Sequence, residues 1–140
     1  MNRPIVRDTE NGTNISIIDT LEPNIPMKHV GALHTPEDFA RVKAKLAADD
    51  EAVTAGWNML INNSHAQLTR TANPVVKLVR GGGSREEPDP DNYGNAMRDV
   101  AAAYQLALRW KISGDDAYAE TAINILNAWA STCERISGDT

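Results

Sequence analysis

A single cysteine, Cys133, occurs in the 140 residues. That excludes an internal disulfide framework and a zinc site built from several thiolates. Cys133 itself reads as a small buried hydrophobe. Long apolar runs are missing too. The longest aliphatic stretch, Val100-Ala101-Ala102-Ala103, falls far short of the roughly 20 residues that a bilayer-spanning helix needs, so no membrane association is expected. Positive charge is in deficit: the net formal charge is −5, whereas an unspecific nucleic-acid binder is basic. No nucleic-acid partner is therefore expected, and an anionic partner must be held by local arginines. Met1-Asn2-Arg3-Pro4 is not followed by an apolar h-region. No signal peptide is expected at this terminus, and a leader removed earlier is compatible with that. Gly81-Gly82-Gly83 lacks the Gly-Lys-Ser/Thr ending of a phosphate loop. No repeat of roughly 34 or 40 residues aligns, which argues against a helical-repeat array.

What is present describes one ordinary folded domain. Hydrophobic residues make up 41% and charged residues 24%, outside the range of a disordered tail. Residues 1–34 read as an extended amino-terminal arm, punctuated by Pro4, Gly12, Pro23, Pro26 and Gly31. Ile15, Ile17, Ile18 and Leu21 suit a short strand or an arm laid on a body. Sequons at Asn11, Asn14 and Asn62 are no more than chance supplies.

The body, 35–140, opens with Thr35-Pro36-Glu37-Asp38: a capping hydroxyl, proline at the first helical position and acids in the first turn. The spacing of Phe39, Val42 and Leu46 predicts a first helix over about 36–48. Asp49-Asp50-Glu51 restarts a second, carrying Val53, Trp57, Leu60 and Ile61, to about Asn62. Residues 63–93 read as non-helical, with Val75–Val79 a candidate strand followed by a long Gly-rich loop. A third helix is expected over about 94–113. Asn95, Arg98, Asp99, Gln105, Arg109 and Ser113 form its polar stripe, and the broad remaining apolar arc means burial on more than one side. Gly114 is the stop signal, and a fourth helix over about 117–135 completes a tight antiparallel hairpin. Tyr104, Leu108, Ile125 and Trp129 are expected to join its two arms. Ser137-Gly138-Asp139-Thr140 reads as a turn. The fold class is all-α, made of helical hairpins that call for further neighbours.

Candidate site residues gather in two places. Arg80 and Arg85 flank the glycine run and suit a lid over an anionic chain, although the same arginines also suit pairing with Glu86, Glu87 and the nearby aspartates. Tyr93, Asn95 and Arg98 stand at the start of the third helix, where the free N–H groups and the helix dipole favour anions. The competing reading there is capping by Asn92 or Asn95 with a surface pair of Arg98 with Asp99 or another acid. His29 and His34 lack metal-helix spacing, and His65 beside Asn62-Asn63-Ser64 reads as structural, so neither a metal nor a cofactor is expected.

Asn95-Ala96-Met97-Arg98-Asp99, the run Ala102–Asp115 (AAYQLALRWKISGD), Tyr118-Ala119 and Ile125-Leu126-Asn127-Ala128-Trp129 resemble the alginate lyase family of polysaccharide lyases. His29–Thr35 and Trp57 look like that family's entry segment and first helices, so the resemblance covers about 29–140. It implies an (α/α) toroid, here its amino-terminal portion, and β-elimination on uronic-acid polysaccharides such as alginate or glucuronan. It implies an acidic polysaccharide and the remaining carboxy-terminal part of the toroid as partners, in the periplasm or outside the cell. The catalytic Asn, His and Tyr of such lyases lie in later hairpins, and no residues here match them. The alternative is a non-catalytic acidic-glycan-binding or helical interaction module.

Overall fold

The computed structural model describes residues 6–7, 14–15, 33–82 and 89–138. The chain divides into two compact units, Met1–Thr35 and Pro36–Thr140. In the first, β1 (Val6–Arg7) and β2 (Asn14–Ile15) pair antiparallel, Val6 opposite Ile15. Ile17, Ile18, Leu21 and His29 lie outside the described residues.

The second unit is mostly helical, and its all-α character is as expected. Helix α1 (Pro36–Ala47) carries Glu37 and Asp38 in its first turn. Asp49 adopts φ 53° and turns the chain into α2 (Glu51–Asn62). Asp50 caps α2 by accepting from the Val53 N–H at 3.1 Å. That bond, with the Lys45 ammonium beside it, holds the Asp50 carboxyl below its ordinary range. A short 3-10 turn (Ser64–Ala66) interrupts the stretch read as non-helical, and Ala66 in it is buried.

The long hairpin is α3 (Gly94–Ser113) and α4 (Asp116–Thr132). Gly114, at φ 78°, closes α3 in the left-handed region that glycine tolerates, and its N–H donates to Trp110 O at 2.8 Å. Asp115 caps α4 through Ala117 N–H. Between the arms lie Ala102, Ala103, Leu106, Ala122 and Ile125, with Ala72, Tyr118 and Trp129 packed against them. Ile125 and Trp129 thus join the hairpin as expected, whereas Tyr104 does not and is 43% exposed. The buried line of α3 runs through Asp99, Ala102, Ala103 and Leu106, the i, i+3, i+4, i+7 spacing of one helix face, and Tyr104 falls beside that line.

Helix α4 ends at Thr132, short of the expected 135, because Glu134 and Arg135 donate their N–H groups to Val76 O and lead into a strand. This strand, β4 (Arg135–Gly138), pairs in parallel with β3 (Lys77–Arg80), Arg80 opposite Gly138. Ser137 and Gly138 are therefore strand residues, where the sequence suggested a turn. Parallel strands need a long crossover, and the α3–α4 hairpin supplies it. A Cβ on Gly138 would lie 2.9 Å from Arg80 O, so this close approach requires glycine. Among the described residues no helix is long and apolar enough to cross a membrane.

Candidate functional site: the amino-terminal end of helix α3

Strand β3 and the start of α3 are stitched together by one side chain. Asn92 Oδ1 accepts from Val79 N–H at 2.8 Å, and its Nδ2 donates to Lys77 O at 2.9 Å. The backbone N–H groups of Asn92 and Tyr93 both reach Val79 O at 3.1 Å. Asn92 is thereby used as a strand mimic and not as a helix cap. No side chain caps α3, whose N-cap position is Tyr93. Asp91 accepts from Gly82 N–H at 2.7 Å, and Asp89 N–H donates to Gly82 O, closing the base of the glycine loop. Gly81 and Gly82, at φ 77° and 81°, make that turn. Lys77 pairs with Asp89 there.

The uncapped end opens into a cleft of about 590 Å³ lined by Asp91, Tyr93, Gly94, Asn95, Met97 and Arg98, with Asn92 at its edge. Arg98 Nη2 donates to Asn95 Oδ1 at 2.7 Å, so the guanidinium folds back over the first turn. The Arg80 guanidinium lies 5.7 Å from the Tyr93 ring centre. Of the residues singled out from sequence, Tyr93, Asn95 and Arg98 share this cleft, and Arg80 stands against its tyrosine. Arg85 lies outside the described residues, as do Gly83 and Ser84 of the expected lid, of which only Arg80, Gly81 and Gly82 are described. Chemically the cleft offers a helix N-terminus, an exposed arginine fork and an amide, a donor set for carboxylate oxygens. Among the described residues no cluster of three His, Cys, Asp or Glu could hold a metal ion.

The Arg98–Asp99 pair of the competing reading does not form. One position along the helix, Asp99 is fully buried and faces the other way. It accepts from Arg70 Nη2 and Asn73 N–H, both at 2.6 Å, and from the Trp129 indole at 2.8 Å. Burial pushes the Asp99 carboxyl up, but those three donors outweigh it and hold it below its ordinary range. About three turns further on, Arg109 donates to Ala66 O at 2.6 Å, bonds the Tyr118 hydroxyl and lies 4.0 Å from that ring's centre. Asp99 and Arg109, two members of the stripe read as polar, therefore clamp residues 66–73 onto the hairpin and are held in the fold, away from the cleft. His65 sits in the 3-10 turn, where its N–H donates to Asn63 Oδ1.

The outer side of the hairpin carries an apolar groove of about 440 Å³ between α3 and α4, walled by Val100, Tyr104, Trp110, Ile123 and Leu126 over a floor of alanines. Sequence reasoning missed it as a groove, although the broad apolar arcs of both helices signal it.

Comparison with known proteins sets this geometry in a family. No curated protein and no solved structure matches the chain. The family model for alginate lyase does, over residues 32–135, about three quarters of the sequence and all of the α1–α4 framework with its cleft. The chain belongs to the alginate lyase family.

Proposed function

We propose that the chain is the amino-terminal portion of a polysaccharide lyase that cleaves uronic-acid polymers by β-elimination, and that the cleft at the start of α3 grips the polymer's carboxylates. The observation that carries this reading is the convergence of Tyr93, Asn95 and Arg98 at an uncapped helix end inside the family-matched region. In β-elimination a base removes the proton next to the carboxylate, the bond to the glycosidic oxygen breaks, a carbon–carbon double bond forms, and an acid protonates the departing oxygen. Neutralising the carboxylate acidifies that C–H, and a bidentate arginine at a helix N-terminus does so directly. The base and acid belong to hairpins of an (α/α) toroid that follow α4, and those hairpins cover the groove between α3 and α4. A polymeric substrate fits a location in the periplasm or outside the cell.

Binding of defined alginate and glucuronan oligomers, followed by calorimetry, tests the cleft. A desolvated charge-assisted hydrogen bond contributes roughly 1.5–3 kcal/mol, so Arg98→Ala should weaken binding on the order of 10- to 100-fold with the melting temperature unchanged. A neutral glycan should bind poorly and ignore the substitution. Unchanged affinity in Arg98→Ala overturns the assignment. The second reading, an acidic-glycan binder without catalysis, rests on the same cleft, whose arginine fork and helix end can grip carboxylates with neither a base nor an acid. Ultraviolet absorbance of the unsaturated product separates the two, since a binder generates none.

A further inference from the structure

We infer that Gly94 is a positioning residue: the side chain it lacks leaves the space in which Arg98 folds over the helix terminus and presents its guanidinium to the cleft. This rests on the reading of the cleft as a carboxylate site. Gly94 is the first residue of α3, and its backbone is not among the left-handed glycines, which among the described residues are Gly81, Gly82 and Gly114. Neither turn geometry nor dihedral strain therefore calls for glycine there. Glycine also gives the unfolded chain freedom that folding must remove, a cost that alanine at the same position avoids. The reason lies in the contacts. A Cβ built on Gly94 would stand 3.1 Å from Arg98 Nη1, with Arg98 Cζ and Nη2 at 3.7 Å, and no other atom lies among its nearest neighbours. The three atoms nearest that position all belong to the guanidinium.

That guanidinium is held on its other side by Asn95 Oδ1 at 2.7 Å. It is therefore held by the Asn95 amide in the space left open over Gly94. An alanine at 94 meets the far end of a flexible side chain, which yields at little cost. The backbone need not move, but the Arg98–Asn95 bond lengthens or breaks and the fork loses its orientation toward the cleft. Hydrogen-bond strength falls steeply with such misalignment. Gly94 thus acts through Arg98, and its substitution should be felt by an anionic ligand while the fold is indifferent to it.

A double-substitution cycle on the full chain tests this, with a defined alginate oligomer as the probe. Gly94→Ala should weaken binding on the order of 3- to 10-fold, less than Arg98→Ala because the guanidinium is displaced and not removed. Its melting temperature should equal or exceed that of the parent. In the Arg98→Ala background the same change should have no further effect, because two residues acting through one contact are not additive. Without ligand, the Asn95 side-chain amide and Arg98 Nε resonances should shift in Gly94→Ala. Three results overturn the inference while leaving the cleft assignment intact: parental affinity in Gly94→Ala, an equal loss in both backgrounds (the methyl then blocks the cleft by itself), or a melting temperature lowered by several degrees. Parental affinity in Arg98→Ala is the distinct result that removes the cleft assignment, and the inference with it.

Discussion

Helix α3 carries two stripes whose fates are the reverse of their chemistry. Asp99 and Arg109 lie on a side covered by residues 66–73, with Asp99 fully buried. Met97, Val100 and Tyr104 lie on a side that is 64%, 58% and 43% exposed. A surface helix of a self-sufficient domain does the opposite. The difference shows what each stripe is for. The two charges are held by partners within the chain: Arg70, Asn73 and Trp129 for Asp99, and Ala66 O and the Tyr118 hydroxyl for Arg109. The apolar stripe continues across Ile123 and Leu126 of α4 as one open groove, which under the proposed function is the face that further helices cover.

The largest test of that contrast removes the sealed charge. Asp99→Ala leaves the half-buried Arg70, an indole N–H and the Asn73 N–H without their shared acceptor, and should destabilise the chain by about 3 kcal/mol in denaturant titration. Its pH dependence has a definite sign. The folded-state pKa of Asp99 lies below the ordinary 3.8, so the folded chain binds its proton later than the unfolded chain as pH falls. The stabilisation is therefore fully present above 3.8 and is lost as pH drops through the lower folded value. The stability gap between the parent and Asp99→Asn should be constant above that range and shrink below it. A gap independent of pH would mean that the carboxylate's charge contributes nothing.

Neighbouring residues of α4 sharpen the comparison. Ile125 is 2% exposed and Leu126 is 52% exposed. Ile125→Ala should cost roughly 2–4 kcal/mol, a filled core site losing its contacts. Leu126→Ala should cost under about 0.5 kcal/mol in the chain alone, as an exposed position does. If Leu126→Ala proves as costly as Ile125→Ala, the groove is already covered in solution. Next in size, Arg109→Lys keeps the charge but loses the fork that reaches Ala66 O and the Tyr118 hydroxyl together, at about 1–2 kcal/mol.

Local signals make the framework legible in the sequence. The Pro36 start, the Asp50 cap and the Gly114 stop each act within one turn, and α1, α2 and α3 stand within about a residue of their expected bounds. The cleft is legible for the same reason: Tyr93, Asn95 and Arg98 lie within six positions of one another. What escapes depends on partners distant in sequence. Strand β4 exists only because β3 waits for it across the whole hairpin. The partners of Asp99 lie 26 to 30 positions away, and sorting it with the other charged residues hides its place on the buried line with Ala102 and Leu106. The i, i+3, i+7 spacing is the available signal, and it outranks residue type when a charge can be fully paired.

Arg80 gives the smallest expected effect and divides the open end of α3 from the sealed stripe most finely. Its side chain is exposed on the last residue of β3, and its guanidinium stands over Tyr93. An exposed cation–aromatic contact contributes about 0.5–1 kcal/mol, and nothing buried depends on it. Arg80→Ala should therefore lower stability by about 0.5 kcal/mol and leave the β3–β4 pairing intact, because that pairing uses Arg80 only through its backbone. Its effect on polyuronate binding should be smaller than that of Arg98→Ala and should fade as salt is raised, since a solvated charge acts through a screened field. Arg98, bonded to Asn95 in the cleft, should lose less with salt. If the two arginines show the same salt dependence, both act only as diffuse charge, and the cleft orients nothing. If Arg80→Ala costs more than a kilocalorie in stability, the Tyr93 ring depends on it, and the amino-terminal end of α3 belongs with the sealed stripe instead of the open cleft.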